Sequence, residues 1–146
     1  MSFETISYRH FFFLFRLRNF KSSRKWFMNP NKVNVLEHLA WFWRLIRDSQ
    51  SICLVSKVNG ARSGFILLRK GTIGYEISVN VHYKFREKGV GRALLSEAEA
   101  RARQVGITAL YALVLKSNKS SNKLFLSQSF NVIEVGDDTI LYQKLL

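Results

Sequence analysis

Apolar and polar residues alternate sharply between Thr72 and Val81, where Ile73, Tyr75, Ile77, Val79 and Val81 share one face. That period predicts a half-buried strand. Leu94, Leu95, Ala98, Ala102 and Val105 then recur at helical spacing, so the chain changes period within about a dozen residues. Upstream, Glu4–Arg9 alternates enough for a short first strand. His10–Phe20 carries Phe12, Phe13, Leu14, Leu17 and Phe20 on a broad helical face. A Lys21–Arg24 linker follows, and Asn29-Pro30-Asn31 is a breaker. Asn31 or Asn34 is suited to cap a second helix reaching about Asp48, with Val35, Leu36, Leu39, Phe42, Trp43 and Ile46 as its face. His38, Trp41 and Leu45 form an adjacent stripe. Ser51–Val58 and Ala61–Leu68 are apolar runs joined by Asn59-Gly60, a strong hairpin signal, and Lys70-Gly71 turns into the central strand. After a helix ending near Gly106 come a strand at Thr108–Leu115, a helix capped by Asn118 and running to about Gln128, and a strand at Ser129–Val135. A turn at Gly136–Asp138 leads to the closing strand at Thr139–Leu145. The order β-α-α-β-β-β-α-β-α-β-β is mixed α/β with a strand–helix–strand crossover at its centre.

Between the central strand and its helix lies Arg86-Glu87-Lys88-Gly89-Val90-Gly91-Arg92, basic and punctuated by glycine. A strand feeding such a loop and then a helix presents free backbone N–H groups at a positive dipole end, suited to phosphate oxygens. By itself a Gly-x-Gly before a helix is common. The Arg86-x-x-Gly89-x-Gly91 spacing, however, resembles the phosphate loop of the GNAT superfamily of acyl-CoA N-acyltransferases. A second block, Asn118 through Leu124-Phe125 to Phe130, resembles another motif of that family. The order of elements is similar to the GNAT fold across nearly the whole chain.

The resemblance implies a single GNAT domain over residues 1–146, with a mixed, mostly antiparallel sheet of about seven strands and about four flanking helices. It implies acetyl-CoA as co-substrate, with Arg86, Glu87, Lys88, Gly89, Val90, Gly91 and Arg92 at its pyrophosphate. Val79 and Val81 would pair with its pantetheine arm through their backbone, and Asn118 would face that arm. Phe125 stands where many members carry the tyrosine that protonates the departing thiolate, which leaves the general acid open. Ser129 replaces a family glycine.

Composition narrows the partners. The chain has 23 Lys+Arg against 10 Asp+Glu, a net charge of +13, and Thr5–Leu36 holds seven cations and no acid. Such asymmetry fits polyanionic partners or merely a soluble basic face. No apolar run approaches the roughly 20 residues of a membrane span. Phe11–Phe15 is bracketed by Arg9 and Arg16 and is too short for a signal-peptide core. The lone Cys53, in an apolar run, reads as a small buried hydrophobe in a reducing, cytoplasmic setting. Three scattered histidines and one cysteine give no metal-ligand spacing, and no metal is expected.

Acetyl transfer to an amine needs a proton acceptor. Glu76 is the carboxylate on the central strand, opposite the Tyr75/Ile77 face, and reads either as that base or as an exposed strand charge. His38 is the alternative base, against a packing role. A backbone N–H near Val79 is the expected oxyanion donor. Arg18, Asn19, Trp26, Met28 and Trp41 are candidates for the acceptor site, and each also reads as ordinary surface or core. Their neighbourhood, with Tyr75-Glu76-Ile77-Ser78, is similar to nucleotide-sugar N-acetyltransferases of the pseudaminic acid type. That likeness implies a small phosphorylated amine as acceptor, with a homodimer allowed and nucleic acid not expected. A ribosomal-protein-type N-acetyltransferase is the second reading. A non-catalytic basic nucleic-acid-binding module is the third, and it leaves the Arg86–Gly91 loop unexplained.

Overall fold

A computed structural model describes residues 1–146, and its elements follow the order read from the periodicity. The strands are β1 (Ser2–Thr5), β2 (Ile52–Val58), β3 (Ala61–Lys70), β4 (Tyr75–Val81), β5 (Ala109–Leu115), β6 (Asn131–Val135) and β7 (Thr139–Leu145). The helices are α1 (Phe11–Asn19), α2 (Lys21–Arg24), α3 (Val35–Arg47), α4 (Val90–Gln104) and α5 (Lys119–Ser127), with short 3-10 turns at Tyr8–His10 and Tyr83–Phe85. All seven strands form one sheet in the order β1-β2-β3-β4-β5-β7-β6. Every pairing is antiparallel except β4–β5. This is the layout that the GNAT resemblance implies, with five helices against about four expected.

The sheet separates two apolar layers. On one face α4 buries Leu94, Leu95, Ala98 and Ala102 against Leu54, Ile66, Leu68 and Ile77, and Phe125 and Tyr142 extend that layer under β5 and β7. On the other, Leu14 and Leu17 of α1 and Phe42 and Leu45 of α3 pack on Cys53, Val55, Phe65 and Leu67. Burial pushes the Cys53 thiol up to about 12, so it serves as a small hydrophobe.

Local chemistry moves several boundaries. The first strand stops at Thr5, because the Ser7 N–H donates to His10 Nδ1 and the His10 N–H to the Ser7 carbonyl, closing a 3-10 turn. Lys21–Arg24 is a helical turn rather than a linker, its Ser23 and Arg24 N–H groups both donating to the Phe20 carbonyl. Asn34, not Asn31, caps α3: its Oδ1 accepts from the Glu37 N–H at 2.9 Å while Glu37 Oε2 accepts from the Asn34 N–H. The buried stripe of α3 is His38, Phe42 and Leu45, and of the expected face Leu36 is 73% and Trp43 52% exposed. Apolar residues surround much of this helix, and the aromatic rings of α1 select which stripe goes inward. Ile73 lies outside β4 and is exposed, since the Gly71 N–H bonds the Gly74 carbonyl and makes a turn there. Val105, likewise exposed, follows the last residue of α4. The Asn59-Gly60 hairpin forms as expected, with positive φ at both residues.

Candidate active site at the splay of β4 and β5

β4 and β5 pair only at Tyr75–Leu110 and Glu76–Tyr111, whereas β4 stays paired with β3 as far as Val81. From Ile77 onward the two parallel strands diverge and leave a wedge. The His82 N–H donates to the Ser63 carbonyl, in register with the Asn80–Phe65 and Ser78–Leu67 pairs. Hydrogen-bonded pairs alternate along an antiparallel ladder, so Ile77, Val79 and Val81 turn their backbone groups away from β3, into the wedge. The Val81 carbonyl is taken by Arg86 Nε at 3.2 Å.

The mouth of the wedge is the N-terminus of α4. Gly89 caps it at φ +79, the left-handed region that favours glycine, and a β-carbon there would meet nothing within 4 Å. The first helical bond runs from the Ala93 N–H to the Gly89 carbonyl, so the N–H groups of Val90, Gly91 and Arg92 have no backbone partner in the helix. No acid occupies the first turn, and Lys84, Lys88 and Arg92 add exposed positive charge. Gly91 has a packing role: a β-carbon would sit 3.3 Å from Leu124 of α5. These free amides, the open Gly89 and the unpaired β4 edge suit a ligand with a phosphate and an amide-bearing arm.

Helices α1 and α3 pack on the sheet face that carries Glu76, Ser78 and Asn80, and Asn80 Nδ2 reaches the Leu17 carbonyl of α1 at 3.5 Å. Glu76 is exposed at the closed end of the wedge. Its carboxylate accepts no hydrogen bond within the chain and lies over the β3–β4 turn, against Gly71. Directly across from it on β5 is Tyr111, whose hydroxyl accepts from Gln143 Nε2 at 3.0 Å. Tyr111 went unmarked in the sequence because a tyrosine in an apolar strand reads as core. Only the parallel register places it beside Glu76.

The structure corrects His38. It is 2% exposed, ringed by Phe11, Phe15, Trp41 and Phe42 at centroid distances of 4.8–5.8 Å, and its Nε2 donates to the Phe11 carbonyl. Burial lowers its pKa, opposed by that hydrogen bond and reinforced by Arg18. It sits among core rings rather than at the wedge. Asn19 spends both ends of its amide on the Val33 backbone, at 2.8 and 2.9 Å. Trp41 is half-buried in the α1–α3 layer. Asn118 caps α5, accepting from the Ser121 N–H. Phe125 is core, stacked on Tyr142.

Arg18 is tied to the segment that carries Trp26 and Met28. Arg18 lies 4.4 Å over the Phe27 ring and donates from Nη2 to the Asn29 carbonyl at 2.7 Å. Its Nη1 is buried with no hydrogen-bond partner. Burial and the nearby Arg24 both lower the Arg18 pKa. Trp26 carries the Lys25 ammonium at 4.8 Å, and Met28 is exposed.

Residues 16–130 match the sequence pattern of the acetyltransferase (GNAT) family. The chain belongs to that family. As a GNAT acetyltransferase it is an acyltransferase that takes its acyl group from acetyl-CoA, and the α4 loop and wedge described above fit that donor. No curated protein matches the chain. Solved structures share its fold end to end. Ribosomal-protein-alanine N-acetyltransferase from Brucella melitensis superposes with a TM-score of 0.87 at 23% identity, over 100% of both chains. The Salmonella typhimurium protein yncA, solved with its cofactor acetyl-CoA, gives 0.84 at 24% identity over 100% of this chain and 94% of that one. A domain from Methanocaldococcus jannaschii gives 0.85 at 20% identity, covering 99% and 97%. No helix is long and apolar enough to cross a membrane.

Proposed function

We propose that this GNAT enzyme acetylates a primary amine on a small phosphorylated molecule, a nucleotide-linked amino sugar. The observation that carries the reading is Arg18, whose Nη1 is buried without a partner. A buried guanidinium N–H without an acceptor costs free energy, and a phosphate oxygen of the acceptor would satisfy it. Trp26 and Met28, on the segment that Arg18 holds through Asn29, offer apolar surface to a ring. The acid-free Thr5–Leu36 stretch supplies the surrounding positive field.

In this reading the α4 amides and the Arg86–Arg92 loop hold the donor, and the free Val79 backbone aligns its arm. Acetyl-CoA supplies an activated thioester. Glu76 accepts the proton of the attacking amine, directly or through a water. The new bond joins the amine nitrogen to the acetyl carbon, and the bond to sulfur breaks. The Val79 N–H faces the side on which negative charge develops on oxygen. Phe125 has no proton to give. Sulfur therefore leaves as the thiolate, which a thiol with pKa near 8.5 tolerates, or takes a proton from water or from the Tyr111 hydroxyl. The single buried cysteine supports a reducing, cytoplasmic setting.

The second reading, a ribosomal-protein N-acetyltransferase, draws on the name of the Brucella neighbour. The +13 charge counts against it, because a basic ribosomal-protein tail would be repelled by an acid-free acceptor lobe. Coenzyme A release with acetyl-CoA, measured against a panel of amino-sugar nucleotides and of peptides, tests the choice. The sugar nucleotides are expected to turn over, with Arg18→Ala raising their KM. Turnover of ribosomal-protein peptides alone would establish the second reading instead.

A further inference from the structure

A second concavity lies on the flank of α1 turned toward the β2–β3 hairpin. It is an open depression of about 530 Å³, within the roughly 300–1,000 Å³ usual for small-ligand sites. Phe12, Phe13 and Phe20 supply aromatic walls, and Arg16, Arg62 and His82 supply nitrogen donors. Lys57 stands at the margin. No carboxylate lines it, and Glu4, which pairs with Lys57 at 3.1 Å, is already shared with His10.

The donors there are incompletely used. The Arg16 side chain makes no hydrogen bond or ion pair in the chain and is exposed. Arg62 spends only Nη1, on the Arg9 carbonyl at 3.0 Å. His82 Nδ1 accepts from the Lys84 N–H at 3.2 Å, so the neutral ring carries its proton on Nε2, which has no partner. Burial, Lys84 and Arg86 all lower the His82 pKa, consistent with a neutral ring. Its edge meets Phe20 at 5.2 Å, joining the donor side to the aromatic side.

We propose that this basin binds a nucleoside phosphate, with the base against the Phe12, Phe13 and Phe20 rings and the phosphate among Arg16, Arg62 and the His82 Nε2–H. Forked guanidinium donors match phosphate oxygens, and phenyl faces stack flat bases with little regard to identity. A cation would find no acid here, and a neutral sugar would leave the arginines unpaired. The basin shares no lining residue with the wedge: none of Ile77, Val79, Val81 and the Arg86–Arg92 loop lines it. Leu14 and Leu17 seat α1 on the sheet between the two, and the basin comes nearest the open end of the wedge at His82, the residue after β4.

Coenzyme A carries a nucleotide itself, so the test is run with coenzyme A saturating the α4 loop. Calorimetry with uridine 5′-monophosphate on the Arg18→Ala variant, which weakens the proposed acceptor site, should still show one additional site, and uridine and inorganic phosphate should each bind at least about tenfold more weakly. A short oligouridylate measured beside it identifies the source: tighter binding than the monomer assigns the site to single-stranded RNA, and equal or weaker binding assigns it to free nucleotide. Arg16→Glu, on an exposed helix position, should weaken binding more than tenfold while coenzyme A affinity and the melting temperature stay unchanged. Phe12→Ala should weaken the nucleotide but not inorganic phosphate. If Arg16→Glu misfolds, Arg16→Gln serves, with a several-fold loss expected. Gly89→Asp should lose coenzyme A and keep the nucleotide. Absence of both ligands at saturating coenzyme A, or undiminished binding by the folded Arg16 variants, overturns the proposal.

Discussion

Arg86 Nη2 donates to Ser23 Oγ at 2.9 Å, while Arg86 Nε holds the Val81 carbonyl at 3.2 Å. One side chain thus ties the loop before α4 to the wedge edge and to α2. Ser23 is 3% exposed, so its hydroxyl has little access to water as a substitute partner. Arg86→Ala is expected to raise the KM for both substrates and lower kcat/KM at least about tenfold, since it removes two hydrogen bonds from a charged group, each worth about 1.5–3 kcal/mol. Ser23→Ala should reproduce part of that loss. A double-mutant cycle with the two losses strictly additive would mean that the contact transmits nothing.

Gly89→Asp places a carboxylate in the open space at the α4 N-terminus. A non-glycine residue at positive φ costs about 1 kcal/mol, too little to unfold the chain. Acetyl-CoA binding should nevertheless be nearly abolished by calorimetry. Unchanged affinity would remove the loop from the donor site.

Glu76→Gln keeps the shape of the side chain but not its basicity. Turnover should fall by roughly 10²–10⁴, the range general bases contribute, with acetyl-CoA affinity nearly unchanged. Full turnover in the variant would transfer the base role to bulk water. Tyr111→Phe separates the neighbouring hydroxyl: a drop in kcat without a change in acetyl-CoA affinity would implicate it. Phe125→Tyr should leave turnover within a few fold or raise it.

His38 and His82 both have lowered pKa values in the folded chain. The unfolded chain, with histidine near 6.5, therefore binds more protons in the window below that value, and stability rises with pH across it. The thermal midpoint should be flat above about pH 6.5 and fall as pH drops, at most about 1.4 kcal/mol per pH unit for each histidine. His38→Gln should flatten part of that fall. A midpoint that climbs on mild acidification would contradict the burial of both rings.

Glu99, on α4, is 8% exposed and accepts two hydrogen bonds from Lys144 Nζ of β7, at 2.8 and 2.9 Å. Glu99→Ala leaves a mostly buried ammonium unpaired and should cost about 3 kcal/mol by denaturant titration. Glu99→Ala combined with Lys144→Met should recover much of it. A near-zero cost for the single variant would show that water replaces the carboxylate.

Period and punctuation along the chain determined the element order, the Asn59-Gly60 hairpin, the Asn118 cap and the α4 loop, because each rests on contacts a few residues apart. The loop's chemistry was legible for the same reason: its unpaired amides are a property of any helix start. Long-range packing decided the rest. Which stripe of α3 faces inward depends on rings from α1, so His38 became core and Leu36 surface. Asn19 was claimed by Val33, fourteen residues away, and no local pattern announces that pairing. The two residues across the closed end of the wedge, Glu76 and Tyr111, are 35 positions apart in the chain. Only the parallel register of β4 and β5 makes them neighbours, and only the loss of pairing beyond them opens the sheet to a ligand.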